Sequence, residues 1–437
     1  MFVALPSGSS VRTLGAVLLL FAVAVTTTPV VHPASSNKNS YRGMVWHAEE
    51  LDGTEIDSRD ADRTINPASI VKIATSLWAL ERLGPEHRFE TAFMIDGDLD
   101  PETGELDGDL LVIGGGDPDF QRENAFLIAL RLNEMGLKTV LGDLRVSRRF
   151  WIGWEEGSSH RLDDPDERAR LMASRLRSAM DPHRWDRSTQ RAWRKLAARR
   201  GLPSKPRPRV AVRGSYGPIT GQAGGTTLLI HRSKAVVDVL RRFNCFSNND
   251  IERIGENLGP ASDLALMLQE RWSLPDGTIS FETTSGLGSN RITPRLIVRL
   301  VRELAATCDR LGVDLADVLP VAGCDPGTLR AFPRLNGGEF VGSVTGKTGS
   351  LVYTDGGVAV FAGVAATSRG DVVFCVAMPR AGRKLHWARS QEESWLLELI
   401  DSRGGPDAST CGLELPMPDN GAEIVIENRR PVAIGPR

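Results

Sequence analysis

The stretch TINPASIVKIATS, residues 64–76, decides how this chain is read. Ile70, Ile73, Ala74, Leu77, Leu80 and Leu83 recur at helical spacing, and Gly84-Pro85 ends the run, so a helix is predicted from about Ser69 onward. Positions i and i+3 share a helix face, which brings the Lys72 amine near the Ser69 hydroxyl. A serine is a poor nucleophile until a base takes its proton. A lysine serves as that base when burial and a neighbouring cation depress its pKa. The first turn also offers backbone N–H donors where an oxyanion would form. The competing reading is an ordinary serine at a helix start. The same spacing occurs at Ser35-Ser36-Asn37-Lys38, where it carries no chemistry, so the pair alone does not decide.

Two further elements follow in order. FNCFSNNDIE holds Ser247-Asn248-Asn249 on a predicted turn between helices, and VTGKTGSL holds Lys347-Thr348-Gly349 at the start of a predicted strand. That strand leads into a hairpin, VAVFAGVAAT and DVVFCVAM joined at SRG. S-x-x-K, S-x-N and K-T-G, in that order and in those contexts, form the motif set of penicillin-binding proteins and class A β-lactamases. The combination points to serine acyl transfer.

The likeness extends beyond the triplets. NPAS, GDLLVIGGGDPDF, GLKTVLGDL, TTSGLGSNRITP and KTGSL with its hairpin resemble D-alanyl-D-alanine carboxypeptidases of the class C low-molecular-mass penicillin-binding proteins, over about residues 41–150 and 230–400. The resemblance implies an α+β fold: a serine transpeptidase/β-lactamase-like domain, an antiparallel sheet flanked by helices, carrying an inserted domain. The separation of 178 positions from Ser69 to Ser247 leaves room for that insertion. The expected division is an export signal at 1–35, the first part of the transpeptidase-like domain at 36–90, the insertion at 91–229, the second part at 230–401, and a Pro/Gly-rich tail at 402–437 lying outside the core.

By position, the resemblance makes Ser69 the nucleophile on a terminal D-Ala-D-Ala bond and Lys72 its base. Ser247 relays a proton to the leaving D-alanine, and Asn249 holds the substrate amide. Lys347 supplies positive potential and Thr348 binds the C-terminal carboxylate. The amides of Ser69 and Ser350, the latter just past Gly349, form the oxyanion hole. Peptidoglycan stem peptides are the implied substrates, with crosslink endopeptidase activity as a companion, and β-lactams the implied inhibitors. No metal or cofactor is called for. The family usually reads Asp-Gly-Ser-Gly-Leu-Ser-Arg where this chain has Thr283 and Thr284 before Ser285-Gly286-Leu287. That departure favours, mildly, a rival reading as a catalytically weak cell-wall binding protein. A β-lactamase or esterase on the same scaffold is the third reading, disfavoured as a β-lactamase because no E-x-x-L-N element occurs.

The rest of the chain bounds these readings. With 437 residues, 41% of them hydrophobic, the chain has material for two or three domains, and a mean hydropathy of -0.18 excludes a polytopic membrane protein. A net charge of -2 gives no sign of a nucleic-acid partner. Arg12, the apolar run at 14–25 and the polar residues after it fit an export signal, with cleavage left open, so a periplasmic or cell-envelope location is expected. Five cysteines lack zinc spacing, and Cys308 with Cys324 is one bridge the spacing admits. Residues 161–213 hold 16 Lys and Arg against 6 Asp and Glu. This basic, helical segment is either a solvated face or a contact for an anionic envelope polymer.

Overall fold

In the computed structural model, the described residues are 41–155, 162–222, 224–408, 411–412, 414–415 and 417–426. The expected signal at 1–35 lies outside them. The chain opens with β1 (Val45–Glu50) and β2 (Glu55–Arg59), then α1 (Val71–Leu83). Next come β3 (Glu90–Asp100), β4 (Glu105–Gly114), α2 (Arg122–Glu134), β5 (Thr139–Val140) and β6 (Leu144–Val146). They are followed by α3 (Pro165–Met180), α4 (Arg187–Arg199), β7 (Ala211–Val212), β8 (Tyr216–Pro218) and β9 (Thr226–Arg232). Four helices follow: α5 (Val236–Phe246), α6 (Glu252–Leu258), α7 (Ala261–Trp272) and α8 (Pro294–Leu311). The chain closes with β10 (Val344–Leu351), β11 (Val358–Ala365), β12 (Val372–Pro379), α9 (Leu385–Ser402) and β13 (Glu423–Ile426).

Local chemistry accounts for the boundaries that matter. The Asp52-Gly53 turn joins β1 to β2, with Gly53 at φ 92° where a β-carbon would be strained. Gly84, at φ 83°, stops α1. The Thr293 side chain accepts from the Leu296 amide and caps α8, Pro294 fills the first turn, and Gly312 ends the helix in the left-handed conformation.

The first sheet is antiparallel throughout, in the order β10-β11-β12-β1-β2, which leaves β10 as an edge strand. Alternation divides its side chains between two cores. Val358, Val360 and Ala362 of β11 pack in one core with Ile73 and Leu77 of α1, Val239 of α5 and Val301 of α8. Ala359 and Phe361 face the other way, into a core with Trp46, Phe374, and Trp395 and Leu396 of α9. The sheet is therefore covered by helices on both faces. The second sheet has eight strands, the path β13-β9-β3-β4-β5-β7 with β6 and β8 beside it, and a core of its own with α2 and α3. In the chain, β3 to β9 lie between α1 and α5.

One open possibility is excluded and one expectation needs correcting. Cys324 is bonded to Cys411, while Cys308 is a buried free thiol in the core under α8. Sequence spacing carries no information on pairing; the fold brings residues 87 apart together. The last segment is also not outside the core. β13 pairs with β9 as an edge strand of the second sheet, and fully buried Asp419 is bound by Arg199 and Arg200 of the α4 end. Gly404, Gly405 and Gly421 take positive φ on the way, and the short strand EIVI docks it.

Candidate active site

The turn before α1 sets the geometry. Ala68 has φ 48°, a left-handed conformation costly for a residue with a β-carbon, and lies just before Ser69. Asn66 holds this turn: its Oδ1 accepts from the Ala68 amide at 3.0 Å, and its Nδ2 donates to the Gly288 carbonyl at 2.9 Å and to Asp355 at 2.7 Å. Asp355 in turn receives both guanidinium nitrogens of Arg291. One side chain thus ties the serine turn to two distant loops.

One helical step on, fully buried Lys72 donates from Nζ to Ser69 Oγ at 3.0 Å, Asn249 Oδ1 at 3.0 Å and the Ser285 carbonyl at 2.5 Å. Burial drives its pKa well below the ordinary lysine value, and the Lys347 charge adds to that, against a weaker opposing pull from Glu252. A lysine that readily gives up its proton beside a serine hydroxyl is a general base in waiting.

Asn249 reaches this cluster from the turn after α5. Ser247, half-buried, is the residue after α5, with φ 51° and ψ 39°. The Asn248 amide bonds back to the Phe243 carbonyl at 2.9 Å, the closure expected where glycine usually stands. Ser247 thus takes a left-handed conformation, as Ser273 does at the end of α7. Asn248 accepts from the Asp250 amide and starts the turn that carries Asn249.

β10 supplies the opposite wall. A β-carbon on Gly349 would come within 2.6 Å of the Pro67 carbonyl and 3.1 Å of the Ser69 amide nitrogen, so only glycine lets this edge strand lie against the serine turn. Lys347 is fully buried, donates from Nζ to the Thr348 carbonyl at 2.8 Å, and has its pKa lowered to about 7 by burial. The Thr348 hydroxyl meets that of Thr328 at 2.8 Å, and Ser350 Oγ accepts from Arg389 of α9 at 2.9 Å.

The structure therefore joins Ser69, Lys72 and Asn249 by direct hydrogen bonds, puts Ser247 two residues before Asn249 on the same turn, and sets Gly349 against the Ser69 amide, with Lys347, Thr348 and Ser350 on the same strand. Sequence reasoning missed Asn66, the Ser285 carbonyl, Glu252 and Arg389. TTSGLGSN proves to be both a tight glycine turn and a wall of the site. Gly286 leaves no space for a β-carbon, which would fall 1.9 Å from the Ala68 carbonyl, and Ser285 Oγ donates to Glu252 at 2.5 Å. A carbonyl that receives a lysine has no side-chain signature to read. Among the described residues no three His, Cys, Asp or Glu side chains group as metal ligands, and no helix is long and apolar enough to cross a membrane.

The family described as D-Ala-D-Ala carboxypeptidase 3 (S13) matches residues 39–172 and 208–391. The D-alanyl-D-alanine carboxypeptidase of Actinomadura sp. (strain R39) is 37% identical over 92 residues, 21% of this chain and 17% of that protein, so the chain spans under a fifth of this curated relative in the match. The predatory peptidoglycan endopeptidase Bd3459 of Bdellovibrio bacteriovorus, in complex with an immunity protein, superposes with a TM-score of 0.71 at 25% identity, covering 86% of this chain and 96% of that one. Its penicillin G-acylated form gives a TM-score of 0.69 at 25% identity, over 86% and 96% of the two chains. Penicillin binding protein 4 of Haemophilus influenzae shares the fold, with a TM-score of 0.59 at 20% identity over 82% and 97% of the chains.

Proposed function

The chain belongs to the D-Ala-D-Ala carboxypeptidase 3 (S13) family, and on that premise we propose that it is a serine D-Ala-D-Ala carboxypeptidase of the cell envelope. It acts on peptidoglycan stem peptides through an acyl-enzyme on Ser69, and also opens peptide crosslinks. The observation that carries this reading is the fully buried Lys72 amine, 3.0 Å from both Ser69 Oγ and Asn249 Oδ1.

In the proposed reaction neutral Lys72 takes the Ser69 proton as Oγ attacks the penultimate D-Ala carbonyl. The amides of Ser69 and Ser350 receive the oxyanion, in keeping with the close approach of edge strand β10 to the serine turn. Ser247 passes a proton to the departing amine, and Asn249 holds the substrate amide while orienting Lys72. Lys347 and Thr348 serve the C-terminal carboxylate. Water then attacks the ester and frees Ser69. A penicillin forms the same ester but keeps its leaving group tethered. Acylation of the Bdellovibrio endopeptidase by penicillin G supports that course for a chain of this fold.

Two coarser features enter the same proposal. Residues 91–229 act as a domain inserted into the transpeptidase-like domain of 36–90 and 230–401. The exposed cations Arg187, Arg191, Arg194 and Lys195, on the α4 face opposite buried Trp193 and Leu196, serve to attract anionic envelope polymer after export.

The test is intact-mass spectrometry after incubation with benzylpenicillin, beside Ser69→Ala. A single penicilloyl adduct that disappears in the variant, together with D-alanine release from a D-Ala-D-Ala peptide, is the expected result. A folded protein with no adduct at high penicillin would overturn the enzyme reading in favour of a cell-wall binding protein.

A further inference from the structure

One cation beside the proposed site has no part in that mechanism. Arg389, in the second turn of α9, donates from Nη2 to Ser350 Oγ at 2.9 Å. The β10–β11 register pairs Thr348 with Phe361 and Ser350 with Ala359, whose side chains enter the core on the α9 side. Lys347 and Gly349 pair with Ala362 and Val360, which face the core on the α1 side. The Thr348 and Ser350 hydroxyls and the Arg389 guanidinium therefore lie on one face of the edge strand, while Lys347 is directed to the other.

The guanidinium is not used up by the protein. Arg241 and Arg291, on other walls of this region, are paired with Asp325 and Asp355. Arg389 has only a hydroxyl as its hydrogen-bond partner and forms no ion pair among the described residues. The next acid along α9, Glu392, is fully buried with neither carboxylate oxygen hydrogen-bonded, and burial holds its pKa well above the ordinary value. Arg389 pulls against that rise, but neither Glu392 oxygen is hydrogen-bonded to it. The approach RAGRKLHWAR, residues 380–389, contains Arg380, Arg383, Lys384 and Arg389 and no acid. Lys347, by contrast, has its pKa lowered to about 7 by burial.

We propose that Arg389 is the specificity determinant for the free carboxylate of the leaving residue, its guanidinium held by Ser350 and pairing with that carboxylate beside the Thr348 and Ser350 hydroxyls. A planar, permanently charged fork suits a carboxylate in a way that a titrating amine does not. The consequence is a preference for peptides ending in a free acid over the same peptides capped as amides or esters. This inference rests on the carboxypeptidase reading above.

The test compares wild type, Arg389→Gln and Arg389→Lys for the acylation rate at Ser69 with benzylpenicillin and with its methyl ester, followed by intact mass. In Arg389→Gln the free-acid rate is expected to fall about 10- to 100-fold, the range of a lost charge-assisted hydrogen bond. The ester rate stays within about threefold, and Arg389→Lys recovers part of the loss. An Arg389→Gln that keeps the wild-type acid rate, or loses acid and ester rates alike, overturns the proposal. If the ester reacts too slowly to follow, recovery of the acid rate by Arg389→Lys supports it and lack of recovery overturns it. Wild type that takes no benzylpenicillin at all would instead overturn the underlying enzyme reading.

Discussion

At the scale of single residues, the site holds two buried lysines whose charged forms are both disfavoured. Lys72 feels both burial and the Lys347 charge, whereas Lys347 is shifted chiefly by burial, to about 7. Both shifts favour the neutral amine, and the proposed reaction needs Lys72 neutral while Lys347 is a cation. Acylation by benzylpenicillin should rise with pH as Lys72 deprotonates and fall on an alkaline limb near 7 as Lys347 does. In Lys347→Arg, whose charge does not titrate in this range, the alkaline limb should move beyond about pH 9. A stopped-flow profile in which the limb stays in place would show that some other group sets it. Ser69 and Lys72 were legible because their i and i+3 spacing lies within one stretch of backbone, and Lys347 because it stands in K-T-G. The Ser285 carbonyl was not, because it contributes no distinctive side chain and reaches Lys72 from 213 residues away.

At the scale of elements, β10 and α1 meet at the cost of burying two amines. For Lys347 the sign is clear. Its folded pKa lies below the unfolded value of about 10.4, so the unfolded chain binds more protons between pH 7 and 10 and stability rises with pH across that window. Below it the full penalty is present. Replacing this amine by an apolar group of similar shape removes the penalty, so Lys347→Met should raise the unfolding midpoint at pH 7 by an amount on the order of 1–3 kcal/mol. The same variant should be acylated at least about 100-fold more slowly, since it lacks the local cation. Urea unfolding and a penicillin time course on one preparation read both effects; a less stable Lys347→Met would mean that the amine contributes net to folding. The α1, α8 and α9 helices and the β11–β12 hairpin were readable from apolar period and caps, because those are local. The pairing of β10 with the serine turn was not, since it depends on the absence of a side chain at Gly349.

For the whole molecule, the closing segment ties together parts that sequence left separate. Cys411 is bonded to Cys324, one residue before Asp325, and Thr328 of the same loop meets the Thr348 hydroxyl. Farther on, Asp419 is buried between Arg199 and Arg200, which are themselves about a third exposed (35% and 38%), and β13 extends the second sheet. Asp419→Ala leaves two guanidinium groups without their acid; with screening at that exposure taken into account, a loss of about 1–2 kcal/mol is expected in urea unfolding. Penicillin acylation at Ser69 should be unchanged, because the contact lies on the α4 side and none of the Lys72 hydrogen bonds passes through it. An unaltered midpoint would show that the segment docks through β13 alone.

The sequence by itself determined which chemistry this chain carries and much of its secondary structure. Periodicity, caps and the spacing within S-x-x-K, S-x-N and K-T-G are properties of neighbouring residues and survive without a fold. Tertiary structure alone decided which carbonyl completes the Lys72 shell, which cysteine Cys324 finds, where the last strand docks, and that Arg389 reaches Ser350. Each of those is a meeting of residues far apart in the chain, selected by how the sheets and helices bury their apolar faces, and no local spacing encodes it.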